Sequence, residues 1–181
     1  MIVTAALAAF ALQACSEPAP TTPPAATAPV TAPTGATPAV MLDGEVLQLG
    51  GSSPTIMAIG APKAEALAAV TAAVGAGPAE AAAYEGCGAG AIDYASYANG
   101  LILLFQDGAL AGWQSTKADL SSRTGIHVGS TKAELDAAYP GLTYDDNTIG
   151  SAFMAGGMGG YLDEAKAKVE RLNVGVTCDM T

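Results

Sequence analysis

Two ten-residue stretches of this chain, GAPKAEALAA (Gly60 to Ala69) and GSTKAELDAA (Gly129 to Ala138), agree at six positions. The identities are Gly60/Gly129, Lys63/Lys132, Ala64/Ala133, Glu65/Glu134, Ala68/Ala137 and Ala69/Ala138, all at an offset of 69 residues. Alanine is so frequent here that alanine pairs match by chance, so the Gly, Lys and Glu identities carry the weight. The flanks agree as well: TIMAIG precedes one copy and TGIHVG the other, each an apolar, strand-like run that ends in glycine. Self-similarity at a fixed offset means one supersecondary unit built twice. The repeat predicts two halves, about residues 55–120 and 121–181.

Each copy reads as a strand or turn feeding a helix. In the second, Thr131 and Glu134 have the T-x-x-E spacing of a capping box, in which each side chain satisfies a backbone N–H that the helix start leaves unpaired. Leu135 and Ala138 share one face, with Tyr139 beside them, and Pro140-Gly141 stop the helix. In the first, Pro62 suits the opening turn; Leu67, Val70 and Val74 form the apolar stripe and Gly75 ends it. Strand signals follow each helix. The clearest is LILLFQDGALAGWQ, Leu101 to Gln114, where Asp107-Gly108 between apolar runs predicts a hairpin. The second half offers LTY (Leu142 to Tyr144), SAFMA (Ser151 to Ala155), GGYL (Gly159 to Leu162) and KVERLNVGV (Lys168 to Val176), the last alternating if a bulge lies near Leu172. The expected fold class is α+β: two similar repeats, each a short helix followed by an antiparallel meander.

The motif GIHVGSTKAELDAAYPG, Gly125 to Gly141, resembles the repeat of the SmpA/OmlA-type outer-membrane assembly lipoproteins and the tandem repeats of β-lactamase inhibitor protein. About 17 residues carry the likeness well, and the rest of the chain only by pattern. It implies a non-enzymatic protein that binds other proteins or braces an assembly, with exposed aromatics on a concave sheet face as contacts. That is an analogy of fold, and fold does not fix function.

The amino terminus points the same way. Ile2 to Leu12 is apolar apart from Thr4. It is too short to span a bilayer, which takes about 20 residues, and reads as the apolar region of a signal peptide covering residues 1–14. Leu12-Gln13-Ala14-Cys15 resembles the lipobox of bacterial lipoproteins, which implies lipidation of Cys15 and a firm anchor. Gln13 is not the commonest residue at its position, and no Lys or Arg precedes the apolar run, which points to a start codon further upstream. By the same resemblance Ser16 fits sorting to the outer membrane. Residues 15–40 are rich in Pro, Ala and Thr, with seven of the chain's 11 prolines, and lack the apolar bulk to form a core. They read as a disordered tether for a globular domain over 41–181.

Charge narrows the partners. The formal net charge of −10 argues against nucleic acid, whose phosphates demand Lys and Arg, and against adhesion to anionic lipid. With Cys15 lipidated, Cys87 and Cys178 remain. In an oxidising compartment such a pair most simply forms a disulfide; a metal or catalytic thiol is the alternative.

No catalytic constellation emerges. His127, the one histidine, lies between Ile126 and Val128 in an expected short strand and should point away from them. Asp145, Asp146 and Asn147 read as a turn without the spacing of a calcium loop. Phe153 to Leu162, with two Met and four Gly, reads as a flexible loop or edge strand, and GCGAG (Gly86 to Gly90) as a loop pinned by Cys87. No cofactor and no metal site is expected. Trp113, Tyr139 and Tyr161 are the candidate interface residues, although Trp113 reads first as a residue of the core or its edge. The expected function is a lipid-anchored envelope module that contacts another protein. A periplasmic ligand-binding or sensing lipoprotein is the alternative and would need a deep apolar pocket; a hydrolase would need acidic groups gathered around His127.

Overall fold

The computed structural model describes residues 39–50, 53–147 and 150–178. The expected signal segment, Cys15 and the tether up to residue 38 lie outside them. Among the described residues are two helices, α1 (Lys63–Val74) and α2 (Lys132–Ala138), and twelve strands. The fold is α+β, richer in strand than the sequence reading expected.

Part of the excess is a small sheet that the sequence reading did not foresee. It comprises β1 (Val40–Asp43), β2 (Val46–Leu49), β3 (Thr55–Ala58) and β8 (Ser121–Ser122), in the order β3-β2-β1-β8. Val40, the last residue of the expected tether, is buried and opens β1. Its hairpin partner is Leu49, and a two-residue Gly44-Glu45 turn joins the strands. Leu42, Leu47 and Leu49 put their side chains into the core. Burial of those leucines, each worth about 1.5–3 kcal/mol, holds strands of only four residues.

The large sheet holds the remaining eight strands: β4 (Glu80–Tyr84), β5 (Ile92–Ser96), β6 (Leu101–Gln106), β7 (Ala109–Ser115), β9 (Tyr144–Asp146), β10 (Ser151–Ala155), β11 (Met158–Leu162) and β12 (Val169–Gly175). Their order is β4-β5-β6-β7-β12-β11-β10-β9, and every pairing is antiparallel. The sheet therefore consists of two consecutive meanders joined where β7 meets β12, with Trp113 opposite Val174 and Gln114 opposite Asn173. Leu101, Leu103 and Phe105 on β6, Trp113 on β7, Leu172 and Val174 on β12 and Phe153 on β10 face one core cluster, shared with α1, α2 and the small sheet.

Local chemistry accounts for most element ends. The α1 C-cap is Gly75 at φ 79°, its N–H bonded to Thr71 O, a left-handed position that glycine takes at no steric cost. The capping box of α2 is formed in both directions. Asp107 (φ 50°) and Gly108 (φ 79°) make the expected hairpin turn, with positive φ at both central residues as the right-handed strand twist requires. The turn before each helix is tied to a later strand pair. Gly60 N–H donates to Leu110 O and Gly129 N–H to Val169 O; Leu110 N–H donates to Ala61 O and Val169 N–H to Ser130 O; Lys63 N–H donates to Gly108 O and Lys132 N–H to Ala167 O.

Several expectations change. Asp145 and Asp146 belong to strand β9, pairing with Ala152 and Ser151, and the turn falls later, where Asn147 and Gly150 exchange backbone bonds. Phe153 to Leu162 is an interior hairpin, not a loop or edge. Gly156 and Gly157 supply its positive-φ turn, and β9 and β12 cover its two sides. The bulge in β12 falls at Glu170, because Leu162 pairs with Val169 while Tyr161 pairs with Arg171; Glu170 is the exposed extra residue. His127 makes a single bridge to Ser121 instead of sitting in a strand.

Candidate functional site

Strand alternation assigns the outward face of the large sheet. Leu103, Trp113 and Val174 lie side by side on the core face, so Leu104, Gly112, Gln114 and Asn173 lie on the other. In the first meander this outer face is covered. Cys87, Cys178, Ile92 and Leu104 form a second apolar cluster, with Tyr84, Tyr94, Ile102 and Val176 packed against it. Cys87 and Cys178 are joined as a disulfide, Cα to Cα 5.4 Å. After Gly175 (φ 70°) the chain leaves β12, bonds Val176 N–H to Ala111 O, and crosses over Gly112, where a methyl would overlap the Val176 carbonyl oxygen. Gln114 Nε2 then donates to Cys178 O at 3.2 Å.

In the second meander the corresponding face is open. The cross-strand row Asp145, Ala152, Tyr161, Arg171 runs beside the row Met154, Gly159, Asn173. Ala152 and Gly159 leave a hollow between taller neighbours. Its volume is about 290 Å³, and Asp145, Ala152, Met154, Gly159, Tyr161 and Asn173 contribute to its lining. At Gly159 an added Cβ would lie 2.9 Å from Asn173 Nδ2 and 3.3 Å from Met154 Sδ, so the ends of those two side chains would have to shift. At Gly160, facing the core, it would overlap the Phe153 ring and the Arg171 carbonyl.

Three features give this hollow chemical character. Met154 is 68% exposed, with a flexible thioether that adapts to what it meets. Asn173 Oδ1 is shut off from solvent and has no donor among the described residues. The Tyr161 ring carries the Arg171 guanidinium, 4.9 Å from its centroid. The volume lies at the foot of the range for small-molecule pockets, roughly 300–1,000 Å³, and the hollow is open.

Elsewhere, ionisable groups are paired structurally. Hydrogen bonding from the Thr131 backbone, then from its hydroxyl, holds the Glu134 carboxyl below its usual range. Asp136 is lowered by its hydrogen bond from Lys132 and then by that from Tyr144. The Tyr144 phenol is raised, chiefly by burial and then by its bond to Asp136. His127 Nδ1 lies 2.8 Å from Val128 O, engaged with its own backbone. Among the described residues, no group of three or more His, Cys, Asp or Glu side chains is placed to hold a metal ion, and no helix is long and apolar enough to cross a membrane.

Of the three candidate interface aromatics, one lies in the hollow. Tyr161 lines it. Trp113 has no exposure at all and cannot touch a partner: its position in register with Leu103 and Val174 turns it into the core. Tyr139, half-buried, takes a hydrogen bond from the Thr124 hydroxyl at 2.9 Å and packs over the Gly156 turn. Asp145, Met154, Gly159 and Asn173 were not recognised as site residues from the sequence. The signal was the small residues of SAFMAGGMGGYL, which alternation places on one face only once the strands are known.

No protein-family model matches this chain, and no curated protein matches it. Among solved structures it is similar to the crystal structure of the uncharacterized protein yfeY from Escherichia coli, at 12% identity, over 53% of this chain and 80% of that one, with a TM-score of 0.39. A likeness of that size carries no argument about this chain.

Proposed function

We propose that this chain is an exported lipoprotein, anchored through Cys15 to the outer membrane and facing the periplasm, that acts without catalysis as a protein-interaction or assembly-stabilising module. The observation that carries the interaction reading is the unequal cover of the large sheet. The chain's own tail lies over the outer face of the first meander, while the second keeps an open hollow with an exposed methionine. The anchoring rests on Leu12-Gln13-Ala14-Cys15 and the proline-rich stretch behind it, and the Cys87–Cys178 disulfide accords with an oxidising compartment.

The tandem repeat of α+β units belongs to the same proposal. Its support is the equivalence of the helix-to-strand ties. On the helix side, Gly60, Ala61 and Lys63 recur as Gly129, Ser130 and Lys132, an offset of 69 (129 − 60). On the strand side, Leu110 and Gly108 recur as Val169 and Ala167, an offset of 59 (169 − 110). The three pairs of bonds have the same lengths, 2.7, 2.8 and 2.8 Å. Two such units joined β7 to β12 make one broad sheet, and a broad open sheet face is suited to laying against another protein.

Metabolic labelling with palmitate tests the anchor. The wild-type chain takes up label and the Cys15→Ala chain takes up none. Absence of label on the wild type, or equal label on both, would end the lipoprotein reading.

A further inference from the structure

We infer that the outer edge of strand β4 takes on an added strand from a partner protein, an extended segment that carries Lys or Arg at its two ends. This goes beyond the reading of the hollow: β4 and the hollow lie at opposite ends of the large sheet, and either contact stands without the other.

The two edges of the large sheet are built differently. β9 closes one end with three residues, two of them aspartates, and Lys166 pairs with Asp146 there. Shortness and charge are the usual guards against a stray strand. β4 closes the other end with five residues, Glu80-Ala81-Ala82-Ala83-Tyr84, in unbroken register with β5 and without bulge, proline or lysine. In an antiparallel strand, alternate residues turn their N–H and C=O groups to either side. β5 takes one side of β4, and no described backbone group bonds to the other. Ala81, Ala82 and Ala83 are all exposed, and their methyl groups leave an incoming backbone room on both faces. They also hold the strand weakly, since alanine is depleted in strands and none of the three is buried. A second neighbour supplies the hydrogen bonds that such a strand lacks, which is how strand addition gains its affinity.

Charge selects the occupant. Glu80 opens β4 and Glu85 follows it, both exposed, and neither has an ion-pair partner among the described residues. Lys63, the cation beside β5, is held by Asp93. Antiparallel self-pairing of two β4 strands would bring Glu80 of each copy near Glu85 of the other, between chains of formal net charge −10, and like charges across a strand pair are destabilising. A strand with basic ends meets the opposite condition.

The test uses the full chain carrying Cys15→Ala, labelled with ¹⁵N, and the capped peptide Lys-Thr-Val-Thr-Val-Lys, whose lysines have the spacing of Glu80 and Glu85. The peptide shifts the amides of Ala81, Ala82, Ala83 and Tyr84. It binds about tenfold more tightly than the same peptide with Glu at both ends, the size of two exposed charge pairs, and the gap narrows as salt screens it. Glu85→Gln, an exposed change outside the strand, weakens the lysine peptide about threefold. Methylation of the peptide's backbone nitrogens reads the mode of binding. N-methyl groups on its two threonines and on its two valines lie along opposite edges of the extended peptide, so one set abolishes binding and the other leaves it. Equal loss from both sets, equal binding of the Lys and Glu peptides, unchanged affinity after Glu85→Gln, or no shifts at all would each overturn the inference. Shifts confined to Ala152, Gly159 and Tyr161 would overturn it as well, and would place the contact in the hollow instead.

Discussion

Trp113 combines the largest buried side chain with an unmet polar group. It has no exposure, and its Nε1–H has no acceptor among the described residues. Leaving such a donor unpaired costs about 1–3 kcal/mol, outweighed by the area that the ring removes from water. The two terms separate by mutation. Trp113→Ala should cost about 3–5 kcal/mol in urea unfolding. Trp113→Phe should cost much less, because it removes the orphan donor along with part of the ring. Equal losses would mean that the indole N–H is satisfied. From the sequence this residue reads as core before interface, without a local pattern that decides it. The choice depends on register with Val174, some 60 residues away, and no local pattern contains it. At Thr131 and Glu134 the reverse holds: both partners of the cap lie within four residues, and the expected bonds are there.

Among elements, β7 does the most: it is central to the large sheet, and its outer face carries the crossing of the tail. Gly112→Ala would set a methyl against the Val176 carbonyl, a backbone atom held by Val176 N–H to Ala111 O. The tail must lift, with a loss of about 1–3 kcal/mol, and Cys178 should become easier to reduce. Unchanged stability and unchanged reduction by dithiothreitol would show that the tail does not lie across β7. Elements with local signals were legible: α1 by Gly75, α2 by its capping box, and the β6–β7 hairpin by Asp107-Gly108. The strands of the β10–β11 hairpin had signals in SAFMA and GGYL, but its interior place in the sheet was not legible, because Gly156 to Gly160 look like a loop or an edge. Two of those glycines are strand residues that make room for Asn173 and Phe153, a demand set by neighbouring strands. The hollow was illegible for the same reason, since its residues come from four strands.

For the whole molecule, electrostatic pairing sets the response to pH. Asp43, Glu134, Asp136 and Asp146 all have lowered pKa values, chiefly through hydrogen bonds with Arg123, Thr131, Lys132 and Lys166 respectively. A carboxyl lowered in the folded state takes up its proton first in the unfolded chain, so the unfolded state binds more protons. The stability these groups contribute is present above the ordinary carboxylate pKa of about 4 and is lost as pH falls through their folded values. Tyr94, raised by its bond to Glu80, and Tyr144 act in the opposite range: the unfolded chain ionises first, and stability declines as pH rises past about 10. Urea midpoints should therefore be level between these limits and fall on both sides. A midpoint that rises on acidification would contradict the pairing. The net charge and cysteine count were legible at this scale. The small sheet was not, since its strands are four residues or fewer and β8 joins β1 from across the chain.

The central claim is that the open face of the second meander is where this protein meets its partner. The most direct measurement is site-specific photocrosslinking in intact cells, with the crosslinking residue at Met154 and, as control, at Ala68 on the exposed side of α1. The account predicts one discrete adduct to an identifiable envelope protein from Met154 and none from Ala68. No adduct from either position, or equal adducts from both, would contradict it.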